Sequence, residues 1–184
     1  TPTGNEIDTA SIKKGKFSFK KEVDEEELFR LKFHDGSSFD LLVNRGEKIN
    51  IEFKDQDLSI SGSPGSQKLI DLDQNLFKLL TYRDSITKEL QGLSQDDNYE
   101  KTMLEYRDLF LKRLGTHRDY LKDFIEENQQ SKVCLMALFQ TYGPSSPILS
   151  VDEDLEDFEK VLRNLKLNFP KSEHIELLEL QIKQ

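Results

Sequence analysis

The residue with the greatest capacity for covalent chemistry is the single cysteine, Cys134. A cysteine thiolate acts as a nucleophile when it is exposed and close to positive charge. Its neighbours Val133, Leu135 and Met136 indicate the buried side of a short helix, and we expect nearby Lys132 to point to solvent. Because a free cysteine usually packs as a small hydrophobic residue, we predict a structural role. One cysteine excludes an intramolecular disulfide, a Cys-x-x-Cys motif and a cysteine zinc cluster.

Histidine is the next candidate, as a metal ligand or a proton carrier. The three histidines are His34, His117 and His174, and none has a second ligand at the spacing of a helical metal motif. We expect His117 to hydrogen-bond inside a helical hairpin. We therefore predict no metal site.

Acidic residues are concentrated in two runs, at residues 24–27 and 152–157. Neither run has the Asp-x-Asp-x-Asp-Gly spacing of a calcium loop, and nothing selects a catalytic pair of carboxylates. The second run begins a predicted helix, where negative charge suits the helix dipole. Both runs are therefore interpreted as solvated surface.

A glycine-rich segment, residues 62–66, precedes the first predicted helix. Such a segment can hold a phosphate, but it lacks the Lys-Ser/Thr ending of a P-loop, and Pro64 has no donor N–H. We interpret it as a strand-to-helix connection. No catalytic, cofactor-binding or metal-binding residue is therefore predicted, and no cofactor.

The composition of the chain limits the classes of partner that it can bind. Its 184 residues include 26 Lys or Arg and 35 Asp or Glu, so the net charge is -9. No basic stripe is evident, which argues against nucleic-acid binding, and the acidic excess disfavours docking on anionic lipid. The longest apolar run, Val133 to Phe139, is too short to span a bilayer. The start at Thr1, without a signal peptide, leads us to expect a processed chain or a fragment.

Apolar and polar residues alternate through the first third of the chain, which predicts five or six short strands joined by turns. The predicted strand segments are residues 7–12, 17–20, 28–33, 39–43, 49–54 and 58–60. Short loops favour an antiparallel meander with one apolar face. We expect the rest of the chain to cover that face.

After Gly65 the apolar period becomes helical. The first helix is predicted from about Gln67 to Gln91, with Arg83 as one polar residue in its apolar stripe; we expect Arg83 to pair with an acid across the hairpin. A second helix runs from Tyr99 to near Asn128, antiparallel to the first. Three shorter helices follow, with predicted caps at Ser131, Ser150 and Ser172.

The expected fold class is therefore α+β: an N-terminal antiparallel β-meander, then about five helices that include a long helical hairpin. We place a β domain at residues 1–62 and a helical domain at residues 63–184.

Several segments in order resemble a known family. They are residues 7–19, 41–49, 62–66 (a "G-S-x-x-S" junction), 124–131 with 138–140, and 169–172. The family is an uncharacterised β-rich domain with a helical extension, which precedes thioredoxin-like domains in envelope proteins of Gram-negative gut bacteria. Those proteins are described as thiol-disulfide oxidoreductases of the peroxiredoxin and thioredoxin superfamily, and many look like lipoproteins.

The resemblance implies a periplasmic or cell-envelope location, an attached thioredoxin-like domain and protein thiols as substrates. The catalytic cysteines of the family have no matching position in this sequence, so the resemblance assigns no catalytic residue. It also implies one or two earlier strands and a thioredoxin-like domain that lie outside this sequence.

Two functions remain open. The first is a non-catalytic module of a thiol-disulfide oxidoreductase, which positions the catalytic domain, recognises substrate or forms a homodimer. The second is a stand-alone binding protein of the envelope, which holds a peptide or small ligand on its sheet face or between sheet and helices. For either function we expect no thiol-disulfide activity from this chain.

Overall fold

The computed structural model describes residues 7–54, 57–93 and 98–183. Antiparallel strands occupy the N-terminal part and five helices dominate the remainder, so the predicted α+β class is confirmed. The chain divides into two compact units, Thr1–Leu69 and Ile70–Gln184. The predicted boundary at residues 62 and 63 falls where helix begins, whereas the units divide a few residues later.

Four strands of the first unit form two hairpins. β1 (Glu27–Lys32) pairs with β2 (Ser38–Val43), and β3 (Asn50–Lys54) pairs with β4 (Asp57–Ser61). Among the described residues the two hairpins form separate two-stranded sheets. The predicted continuous meander is thus divided into two hairpins, because β2 and β3 follow one another along the chain but do not pair.

The two predicted strands nearest the N-terminus do not form. Within the described residues 7–24, the only β pairing is one antiparallel bridge between Lys13 and Lys16. It closes a two-residue turn in which Lys14 and Gly15 have φ of 52° and 74°, as a type I′ turn requires. The turn was predictable, but residues 7–12 have only moderate β propensity to extend the ladder.

Side chains of the Gly-Ser segment fasten β2 to the first helix. The Leu42 N–H donates to Ser66 Oγ at 3.0 Å, and the Leu42 carbonyl accepts from Ser63 Oγ at 2.7 Å and Ser66 Oγ at 3.0 Å. A Cβ on Gly65 would come within 3.0 Å of the Leu42 side chain, which is fully buried. The hydroxyls thus bind backbone of the chain itself, and the segment is the predicted strand-to-helix connection.

The two long helices are α1 (Pro64–Gly92) and α2 (Tyr99–Glu127), close to their predicted bounds. In the second unit, three side-chain contacts between these helices are spaced seven residues apart along each helix. Tyr106 donates to Glu89 at 2.5 Å, the Arg113 guanidinium lies 4.1 Å from the Tyr82 ring centroid, and Tyr120 hydrogen-bonds Asn75. Each contact moves back seven residues along α1 as it advances seven along α2, so the helices are antiparallel, as predicted.

Shorter elements complete the second unit: α3 (Val133–Leu138), β5 (Thr141–Gly143), β6 (Ser146–Pro147), α4 (Val151–Asn168) and α5 (Glu173–Ile182). The β5–β6 hairpin lies between α3 and α4 and was not among the predicted strand segments.

The three predicted helix caps have different outcomes. Ser150 Oγ accepts the Glu153 N–H at 3.3 Å, which confirms that cap. The N-cap residue of α3 is Lys132 and not the predicted Ser131, although Ser131 Oγ accepts the Val133 N–H at 3.2 Å. Ser172 takes the cap position of α5 without a side-chain cap bond.

The core of the second unit lies where the helical hairpin meets α3, α4 and α5. Its fully buried side chains include Leu72, Leu121, Leu138, Phe158 and Leu165. Within residues 82–93 and 98–114, by contrast, no residue is buried. The outer half of the hairpin is thus a two-helix arm. Of the helices described, none is long and apolar enough to cross a membrane.

Candidate binding surface

The only thiol is sequestered. Cys134 is fully buried, and its Sγ donates to the Asn128 carbonyl at 3.0 Å. The predicted burial of Cys134 is therefore confirmed, and a buried thiol that donates to backbone is poorly placed to attack a substrate. The expectation for Lys132 was wrong: this residue is buried, and its ammonium lies 4.6 Å from the ring centroid of Phe169.

The histidines do not converge. His117 is buried and its Nε2 lies 2.9 Å from Gln140 Oε1, and Gln140 Nε2 donates to the Leu72 carbonyl at 3.4 Å. The predicted hydrogen bond therefore forms with a residue after α3. His34 is exposed and His174 is half-buried. In the part of the chain that the structure describes, no three His, Cys, Asp or Glu side chains are grouped as a metal site requires.

The expectation that both acidic runs are solvated was wrong at one residue of each, because Glu26 and Asp154 are buried. Asp154 is buried, and it accepts from Arg118 Nη2 at 2.8 Å, Lys122 Nζ at 2.8 Å and the Ser150 N–H at 3.0 Å. Burial alone raises the pKa of Asp154, but these donors outweigh it, and the pKa is lowered. Hydrogen bonds to Asp154 and then Asp157 raise the pKa of Lys122. Such a permanently charged cluster is suited to joining helices and not to proton transfer.

The position of Arg83 also differs from the prediction. Its guanidinium donates to the neighbouring Asp84 at 2.7 Å and to the Tyr142 carbonyl. It therefore connects α1 to the β5–β6 hairpin instead of an acid across the helical hairpin. This contact, like the Asp154 cluster, is structural.

The first unit carries the largest aromatic cluster. Five rings are in contact through centroid distances of 5.0–6.2 Å, and we call them the Phe surface: Phe17, Phe19, Phe33, Phe39 and Phe53. None is buried, and Phe19 and Phe53 are 43% and 49% exposed. Clustered aromatic side chains that remain exposed are typical of interaction sites.

Positive charge accompanies the Phe surface. Residues 9–21, which include Phe17 and Phe19, contain five lysines and no acidic residue, in a chain whose net charge is -9. All five lysines are exposed: Lys13, Lys14, Lys16, Lys20 and Lys21. This combination suits a polypeptide segment with apolar and acidic side chains. From the sequence, an apolar face in need of cover was predicted, but neither this cluster of rings nor the basic segment beside it was.

Comparison with known proteins assigns no activity. Residues 2–69 match a family described as a domain of unknown function, DUF4369. This match covers the first unit and includes the whole Phe surface. No curated protein and no solved structure matches the chain.

Proposed function

We propose that this chain is a non-catalytic module of a cell-envelope thiol-disulfide oxidoreductase, in which the Phe surface holds a polypeptide segment. The segment belongs either to the catalytic thioredoxin-like domain or to a protein thiol substrate. The redox step then occurs in that domain: a thiolate attacks a disulfide, a mixed disulfide forms, and a second thiol resolves it.

The Phe surface is the observation that carries this proposal. Its exposed rings, Phe19 and Phe53, offer apolar contact area, and aromatic side chains are enriched where proteins bind one another. The nearby lysines favour an acidic partner. The buried Cys134 agrees with a module that binds and leaves catalysis to another domain.

Substitution of exposed rings tests binding. The Phe19→Ser/Phe53→Ser variant should bind carboxymethylated insulin B chain, a thiol-free unfolded peptide, about tenfold more weakly than the unaltered chain. Phe77→Ser is the matched control, because Phe77 is 70% exposed on α1, outside the Phe surface. Equal loss of affinity in both variants, measured by fluorescence anisotropy, would contradict the assignment of the site.

Activity tests the non-catalytic role separately. The chain should not catalyse reduction of insulin by dithiothreitol, and Cys134→Ser should behave identically. Turnover that disappears in Cys134→Ser would overturn the proposal. Sequencing the encoding gene tests the redox assignment: a Trp-Cys-x-x-Cys segment in the same reading frame supports it, and its absence refutes it.

The alternative is a stand-alone envelope protein that binds a peptide or small ligand. The exposure of the Phe surface favours it equally, because such a surface requires no attached domain. The two functions differ in one result. In the alternative, peptide binding is retained while the gene encodes no thioredoxin-like domain.

A further inference from the structure

The outer half of α2 carries an apolar stripe on the face directed away from α1. With Tyr106 marking the contact with α1 and a turn of about 100° per residue, Leu104, Leu111 and Gly115 lie about 140–180° around the helix. The two leucines are 44% and 51% exposed. A Cβ on Gly115 would meet open space, so no contact with the described residues explains a glycine at a position that alanine would stabilise.

This stripe continues an interface that the chain already uses. Further along the same face of α2, Arg118 and Lys122 bind Asp154 at the start of α4. Beyond Arg118, toward the outer end of the arm, the face is unburied. It is therefore a helix-packing face of which the described residues occupy only the inner half.

A row of charged residues beside the stripe indicates which molecule packs against this face. Lys101, Asp108, Lys112 and Asp119 lie about 200–240° around α2, and all are exposed. Their signs alternate, and opposite charges stand at equal distances on either side of Phe110. When two copies of this helix pack antiparallel about a two-fold axis, residues symmetric about the axis meet. Lys101 then meets Asp119 of the second copy, and Asp108 meets Lys112.

We propose that the chain forms a homodimer through antiparallel packing of α2 on α2 of a second copy. The two-fold axis crosses α2 at the level of Phe110 along the helix. In this register Leu104 of each copy lies over Gly115 of the other, and the two Leu111 side chains meet near the axis. The contact extends over residues 101–119, about 27 Å of helix.

The ion pairs that Lys101 and Asp108 already make within the chain do not prevent them from pairing with the second copy. Asp108 lies 3.2 Å from Arg107 and Lys101 lies 4.0 Å from Glu105. All four side chains are more than half exposed, and such pairs contribute little to stability. A different protein partner would have no reason to match a charge row that is antisymmetric about its own midpoint, so the pattern favours a second copy.

Sedimentation equilibrium of the full chain tests the proposal. The chain should dimerise reversibly with a dissociation constant below about 100 μM. Leu104→Glu/Leu111→Glu should raise that constant by about tenfold or more. Leu167→Glu should leave it unchanged, because Leu167 is 83% exposed on α4 and outside the stripe.

A charge swap tests the register. Asp108→Lys should weaken the dimer by about tenfold, since lysine then faces lysine twice. The double variant Asp108→Lys/Lys112→Asp should restore it, because both pairs are re-formed with reversed sign. The proposal is overturned if the chain is monomeric at these concentrations or if the dimer survives the leucine substitutions. The antiparallel register is overturned if the double variant does not restore dimerisation. Helical circular dichroism verifies that each variant is folded, and the peptide-binding and redox assignments are independent of every outcome.

Discussion

Replacement of Asp154 by alanine removes the acceptor at the centre of the cluster that joins α2 to α4. Three donors lose their bond to Asp154: Arg118, Lys122 and the Ser150 N–H. Arg118 keeps its ion pair with Glu153, and Lys122 keeps its ion pair with Asp157. Breaking a buried ion pair costs about 3–5 kcal/mol. The side chains of Arg118 and Lys122 are 27% and 40% exposed. Because water partly solvates them, we expect a loss at the lower end of this energy range. We expect a loss of about 3 kcal/mol, or about 6–12 °C in melting temperature for a chain of this size.

The same cluster makes stability depend on pH. Because the pKa of Asp154 is lowered by folding from its ordinary value of 3.8, the contribution of its carboxylate is fully present above pH 3.8. It is lost as the pH falls through the lower pKa of the folded state. Asp154→Asn keeps the shape and one acceptor oxygen but no charge. This variant should be less stable than the original chain at pH 7 by about 1–2 kcal/mol, and the difference should shrink under acid.

Urea unfolding at neutral pH and at about pH 3 measures both effects. Asp152→Ala is the matched control, since Asp152 is exposed in the same turn and should cost less than about 1 kcal/mol. The reasoning is refuted if Asp154→Ala lies within about 0.5 kcal/mol of the original chain. It is also refuted if the deficit of Asp154→Asn is equally large in acid.

Two further predictions concern single residues. Gly62→Ala should destabilise the first unit by more than about 2 kcal/mol, because Gly62 has φ +84° and a Cβ there would overlap the Lys48 carbonyl oxygen. Gly46→Ala, with φ +78° but open space, should cost about 1 kcal/mol in the same urea melts; equal losses would disprove the steric reasoning. Cys134 should react with Ellman's reagent only at the rate of unfolding, and rapid labelling of the native chain would contradict its burial.

Helices were predictable where the apolar period was long. The first two helices end within a few residues of their predicted limits, because one face of each is apolar over several turns. The positions of β1 to β4 were also predictable from alternation, whereas the strands predicted at residues 7–12 and 17–20 do not form. The pairing between hairpins was not predictable. Sheet pairing depends on contacts distant in sequence, which periodicity does not encode.

Several of the failed predictions concern charged residues. Lys132 and Asp154 were expected at the surface and are buried, because a cation over an aromatic ring or a carboxylate with several donors compensates for lost hydration. Leu155 continues the apolar spacing of Phe158 and Leu165 along α4, yet it is 44% exposed. The backbone of α4 is non-helical at Asp154, which changes the face that each neighbouring residue occupies. Such compensation depends on partners from other elements, so the local sequence cannot reveal it.

The junction at residues 62–66 and the Phe surface show why a fold motif is easier to recognise than a binding site. Gly62, Ser63 and Ser66 are each constrained by a contact with backbone, so few other residue types fit and a motif results. The phenylalanines alternate with polar residues as core residues of a strand do, and alternation alone does not distinguish a ring that stays exposed from one that becomes covered. Exposure is a property of the folded unit. The function proposed here therefore depends on the three-dimensional position of these rings, and substitution of the exposed ones tests it directly.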